Sequence, residues 1–105
     1  MKTEIVFAAY RPKAGNEKEF ESLLNKHVPT LRELGLATER APIIVRAKDG
    51  TFIEVFEWHS AEAAQKAHEH PVVAKIWEQM GQIGEFAALN SLEEATKPFP
   101  HFKPI

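Results

Sequence analysis

Residues 51–80, TFIEVFEWHSAEAAQKAHEHPVVAKIWEQM, decide the fold. Residues 51–59 are rich in β-branched and aromatic side chains, with Phe52, Phe56 and Trp58 on one parity and Ile53 and Val55 on the other. Successive strand residues face opposite sides, so both faces of this strand need cover, and it reads as central in a sheet. Ser60 follows as an N-cap with Glu62 in the first turn, where a carboxylate suits the positive helix end, and Ala61, Ala63, Ala64 and Ala67 favour helix. Pro71 has no N–H and a fixed φ. It ends that helix near His70 and opens another, with its apolar stripe at Val72, Val73, Ile76, Trp77 and Met80. The spacing predicts a bent, two-piece helix lying on the sheet.

The flanking sequence extends this pattern in both directions. Residues 2–10 form a first strand, with Ile5, Phe7 and Ala9 alternating with Val6, Ala8 and Tyr10. After a turn over 11–15, Asn16 and Glu19 have capping-box spacing, and a stripe runs through Phe20, Leu23, Leu24, His27, Val28, Leu31 and Leu34. Gly35 suits the left-handed position after the helix and Leu36 the hydrophobic residue beyond it, while Pro29 should kink the helix without changing the phase of the stripe. Pro42 precedes a strand over 43–48, and Asp49-Gly50 signals a two-residue hairpin into the strand at 51–59. Gly81 and Gly84 interrupt the last helix, and residues 85–92 read as a fourth strand. The tail from about residue 93, with Pro98, Phe99, Pro100, Phe102 and Pro104, reads as extended and packed on something.

The order β-α-β-β-α-β defines an α+β, ferredoxin-like fold, a four-stranded antiparallel sheet with its helices on one face, in one domain spanning residues 1–105. The first and third strands are apolar on both parities. Leaving the open face in water would expose several hundred Å2 of apolar surface, on the order of the largest patch a soluble monomer shows, so a homodimer with sheets packed face to face is expected.

Composition narrows the partners. The chain has 105 residues, 44% of them hydrophobic, including seven Phe, two Trp and one Tyr, enough for a compact core. The net charge of -2 comes from 13 basic and 15 acidic residues that are interspersed, without the basic stripe that nucleic acid or an anionic membrane would favour. There is no cysteine, hence neither disulfide nor thiolate chemistry. The first ten residues, MKTEIVFAAY, are too short an apolar run for a signal or spanning segment, and a cytoplasmic protein is the expectation.

The run Trp58, Ser60, Glu62-Ala63, His68 and Pro71 resembles the dimeric α/β-barrel superfamily, and within it the antibiotic biosynthesis monooxygenase-like domains, over nearly the whole chain. The resemblance implies a sheet-to-sheet dimer and a pocket between each sheet and its helices. In some members that pocket oxidises polycyclic phenols with dioxygen and no metal or organic cofactor; in others it degrades haem. Catalytic members place an Asn near the end of the first strand, where this chain has Tyr10, and Ala67 and Trp77 occupy the positions of the haem-degrading members' Trp and axial His. An indole cannot ligate iron as an imidazole does, so haem is disfavoured. No cofactor and no metal are expected.

The site residues follow from these patterns. His68 and Tyr10 are the catalytic candidates, a base and a phenol that would orient substrate or dioxygen; His27, Trp58 and Trp77 are the candidates for substrate binding. Each also has a plain structural role: a strand-end Tyr, a core-edge His, core tryptophans. His68 and His70 point about 200° apart on a helix and share no metal face. His70 reads as a solvent-facing cap before Pro71, and His59 and His101 as structural. Glu54 and Glu57 lie on opposite strand faces, so they cannot act as a carboxylate pair, and one facing the dimer interior would need an Arg such as Arg46. The leading expectation is a small-molecule-binding protein acting as a cofactor-independent monooxygenase on an aromatic or polyketide-like substrate. The rival is a non-catalytic dimeric ligand-binding or stress-associated barrel.

Overall fold

The computed structural model describes residues 2–105. The elements are β1 (Glu4–Pro12), α1 (Glu17–Glu33), β2 (Ile43–Arg46), β3 (Phe52–Trp58), α2 (Ala61–Glu69), α3 (Pro71–Ile83), β4 (Gly84–Ala87) and β5 (Lys103–Pro104), with two short 3-10 turns between the last two strands. The sheet is antiparallel in the order β4-β1-β3-β2-β5, so the two strands that are apolar on both faces are interior, as their alternation requires.

The α+β, ferredoxin-like fold is as expected, with five strands in place of four. The fourth strand is shorter than its pattern suggested: it ends at Ala87, and residues 89–96 turn twice. The fifth strand comes from the tail, where Pro104 pairs with Val45 and Lys103 with Arg46 on the free edge of β2. An unpaired edge offers open N–H and C=O groups, and the tail supplies them with partners.

Local signals explain most boundaries. α1 closes in a Schellman motif: Leu36 N–H donates to the Leu31 carbonyl at 2.8 Å, Gly35 N–H to Arg32 at 3.0 Å, and Gly35 has φ +75, a left-handed conformation glycine takes without strain. Pro29 stays within one continuous helix, and both it and Asn25, whose carbonyl loses its usual helix donor, are exposed residues. The expected capping box at Asn16 does not form; its side chain instead donates to Glu19 at 3.2 Å. Ser60 caps α2 by accepting from Ala63 N–H at 3.0 Å, and His70 caps α3 by accepting from Val72 N–H at 3.2 Å, the capping role expected of it. The β2–β3 hairpin has a three-residue loop rather than two, because Ala47 N–H pairs with the Thr51 carbonyl and Gly50 takes φ +93 inside it. Gly81 sits exposed within α3 rather than breaking it.

The sheet divides the molecule into two unequal layers. On the helix side, Phe20, Leu24, Leu31, Phe52, Phe56, Val73 and Met80 form a dry core between α1, α3 and the sheet. On the other side, Leu92 and Phe102 from the tail cover Ala9, Ile53 and Val45. The neighbouring row is uncovered: Ile5, Phe7 and Ile43 are 48%, 58% and 61% exposed.

Candidate functional site

The alternation of β3 turns Phe52, Glu54, Phe56 and Trp58 toward the helices, which sends a carboxylate into the core. Glu54 is 0% exposed, and its direct cross-strand neighbours, Ala8 on β1 and Ile44 on β2, offer it nothing polar. A buried charge without partners costs far more than a domain of this size can tolerate, so its partners come from further away. Tyr10, diagonal to it on β1, donates its hydroxyl to Glu54 Oε1 at 2.8 Å. His27 on α1 brings Nδ1 to 3.0 Å from Oε1 and 3.2 Å from Oε2. Trp77 on α3 donates its indole N–H to His27 Nε2 at 2.9 Å.

The position of the proton on His27 follows from one group. An indole nitrogen only donates, so His27 Nε2 must be a bare acceptor. The imidazole proton then sits on Nδ1 and points at Glu54. The carboxylate receives two donors, the Tyr10 O–H and the His27 N–H, and needs to give none, which is the pattern of an ionised group. Burial, with the Glu54 charge adding to it, pushes the Tyr10 phenol far above its ordinary value, so this hydroxyl remains a donor. The result is a Tyr–Glu–His–Trp row in which Glu54 fixes the imidazole tautomer and leaves the basic nitrogen facing outward.

The outward end reaches the surface. His27 is 1% exposed, whereas Trp77 is half-buried, and its outer side meets the edge of the exposed His68 ring at 4.8 Å between centroids. The sequence candidates therefore fall into three places. Tyr10, His27 and Trp77 share one hydrogen-bonded network. His68 leans on that network from solvent and makes no hydrogen bond within it. Trp58 stands apart, edge-on to Phe56 at 4.9 Å, in the apolar cluster with Val28, Leu31 and Ala67.

Glu54 is the member that sequence reasoning left out, although its parity with Phe52 and Phe56 was the signal. Arg46, offered as the partner of a Glu on the dimer face, lies over the Phe52 ring at 4.8 Å and reaches Glu21 at 3.4 Å; it pairs with Phe52, two pairs along β2 from the Ile44 that stands opposite Glu54. Glu57, on the opposite face as expected, accepts from Thr38, Thr3 and Arg40 at 2.7, 2.8 and 3.1 Å, and those donors, Thr38 first, hold its carboxyl below the usual range.

The space that a pocket between sheet and helices would occupy is filled by Phe20, Phe52, Phe56 and the inner face of Trp77. Two hollows lie on the surface, one of about 1140 Å3 between Leu34, Leu36, His59 and Glu62 at the end of β3, and one of about 740 Å3 beneath the tail near Arg46 and Phe102. Neither is lined by the Tyr10–Trp77 network. Among the described residues, no three His, Asp or Glu side chains are grouped as metal ligands would be, and no helix is long and apolar enough to cross a membrane.

This arrangement is an α+β sheet domain with a buried hydrogen-bonded row that converges on Glu54 and ends at a half-exposed aromatic. No family model matches the chain, and no curated protein does. Among solved structures it is similar to SnoaB, a cofactor-independent oxygenase from Streptomyces nogalater, with TM-score 0.65, 13% identity, and coverage of 83% of this chain and 88% of that one. A single-substitution variant of the same protein aligns with TM-score 0.65 at 15% identity. At such identity the likeness is one of fold.

Proposed function

We propose that this chain is a small-molecule-binding protein working as a cofactor-independent monooxygenase on a hydroxylated aromatic, as a cytoplasmic homodimer. The observation that carries the reading is the bonding of His27, which assigns its tautomer: Nδ1–H to a buried carboxylate, Nε2 unprotonated and accepting from the half-exposed Trp77. That is the geometry of an oriented general base. The fold shared with an oxygenase supports it.

In the proposed reaction the phenolic O–H of the substrate gives its proton to His27 Nε2. The electron-rich aryloxide reduces dioxygen, a carbon–oxygen bond forms para to it, and loss of water leaves a quinone. One phenol and one dioxygen give one quinone and one water, and the substrate is the reductant. His27 takes the part of base because it is the imidazole backed by a carboxylate; His68, at the rim, holds the ring. Tyr10 acts through Glu54 rather than on the substrate.

The uncovered row of Ile5, Phe7 and Ile43 supports the dimer, since a second sheet laid on it would remove this surface from water. A stable monomer in sedimentation at micromolar concentration would refute that part. The closed interior favours a second reading, a barrel that only holds its ligand. Oxygen uptake with 1-naphthol and larger hydroxylated polycycles separates the two: consumption with quinone formation supports the oxygenase, and binding without consumption supports the holder.

A further inference from the structure

Trp77 occupies, with its own side chain, the position that a ligand of this site would need. Its indole is a flat two-ring aromatic, it lies at the surface end of the row, and its single polar hydrogen is bonded to the one free lone pair of His27. We propose that Trp77 is an internal stand-in for the ligand: the indole swings out past His68, and a flat aromatic of similar size carrying an O–H or N–H donor takes its place against His27 Nε2. This rests on the reading of the site given above and adds the gate and the requirement for a hydrogen-bond donor on the ligand.

Three features support it. The exchange is nearly balanced, since the ring and the donor that leave are replaced by a ring and a donor that arrive. The gate lies at the surface: Trp77 is already half-exposed, and what it gives up is one hydrogen bond, its contact with the exposed His68 and its packing against the two helix-side clusters, packing that the arriving ring restores. Side-chain rotation of this kind is fast compared with turnover. Finally, the acceptor is selective. Nε2 can only accept while Glu54 holds the proton on Nδ1, so a phenol or indole fits, and an ether or carbonyl of the same shape leaves the lone pair unpaired and facing another acceptor.

The test is binding, measured without reference to turnover. Calorimetric titrations of wild type, Trp77→Phe and Trp77→Ala use 1-naphthol and indole as donors and 1-methoxynaphthalene as the donor-free control, with nitrogen NMR following the His27 ring. Trp77→Phe keeps a ring but removes the competing N–H, and it should bind 1-naphthol about fivefold more tightly than wild type, the scale of one net hydrogen bond. Trp77→Ala should bind indole and 1-naphthol at least about tenfold better than 1-methoxynaphthalene, with the His27 Nε2 resonance moving on binding. Equal affinity for donor and control, or an unmoved His27 resonance, overturns the proposal. If Trp77→Ala does not fold, Trp77→Phe decides alone. Selective binding without oxygen uptake would keep the gate and remove the oxygenase; oxygen uptake with no donor selectivity would do the reverse.

Discussion

Removing the Tyr10 hydroxyl tests whether Glu54 is a buried anion held by neutral donors. In Tyr10→Phe the ring stays, and with it the packing against Phe20 and Phe86 at 5.4 and 5.7 Å. What is lost is one of two donors to a carboxylate with no exposure to water. Hydrogen bonds to charged groups contribute about 1.5–3 kcal/mol net, and that is the expected loss of stability at pH 7. For a domain of this size it corresponds to a fall in Tm of roughly 6–24 °C. A large fall alone could reflect any packing defect, so the measurement is a double-mutant cycle by urea denaturation with Glu54→Leu. In the Glu54→Leu background the hydroxyl already lacks its acceptor, and Tyr10→Phe should be neutral or stabilising. The coupling should then be about 1.5–3 kcal/mol. A coupling below about 0.5 kcal/mol, the range of independent sites, would refute the charged network and with it the tautomer assigned to His27.

Further outcomes follow from the same geometry. If the oxygenase reading holds, His27→Gln should lower turnover by roughly 10²-fold, the scale of a lost base, while His68→Ala changes it only several-fold; the reverse order in steady-state rates would return the base to His68. Gly84→Ala should destabilise the fold by about 1–3 kcal/mol in denaturant titration, because a methyl there would meet the Phe20 ring at 2.6 Å and the Arg11 carbonyl oxygen at 2.8 Å, and the latter is backbone. Thr38→Val should reduce stability near neutral pH and lose its effect in acid. Glu57 has a lowered folded-state pKa, so its contribution is complete above the ordinary value of 4.5 and disappears as pH falls through the lowered one; an equal effect on Tm in acid and at neutral pH would contradict this.

Much of the molecule was legible in one dimension because it is set by neighbours in sequence. The Schellman close at Gly35-Leu36, the Ser60 cap, the His70–Pro71 junction and the two-faced strands at 4–12 and 52–58 depend on φ preferences and on periods of 3.6 and 2.0 that a few residues display. The helical stripes carried His27 and Trp77 as candidates, and the resemblance at the end of the first strand carried Tyr10, each one by one. Where local signals competed, the reading slipped: Asn16 met Glu19 with its amide rather than its own helix N–H, and residues 88–92, alternating like a strand, turned instead into 3-10 structure, with Leu92 buried under the sheet.

The site itself was decided only by tertiary structure. Tyr10 and Glu54 are separated by 44 residues, Glu54 and His27 by 27, and His27 and Trp77 by 50, and no local pattern encodes those meetings. They depend on the β1–β3 register, which puts Tyr10 diagonal to Glu54, and on the packing of α1 and α3, which lines His27 up with that carboxylate and Trp77 with His27. The fifth strand has the same origin, since a Lys-Pro pair has little strand preference of its own and is extended here by the free edge of β2. In this chain the sequence alone determined which face each residue would show, because facing is a property of period. Which side chains met across the core was a matter of register and packing, and the hydrogen-bonded row from Tyr10 to Trp77 exists only there.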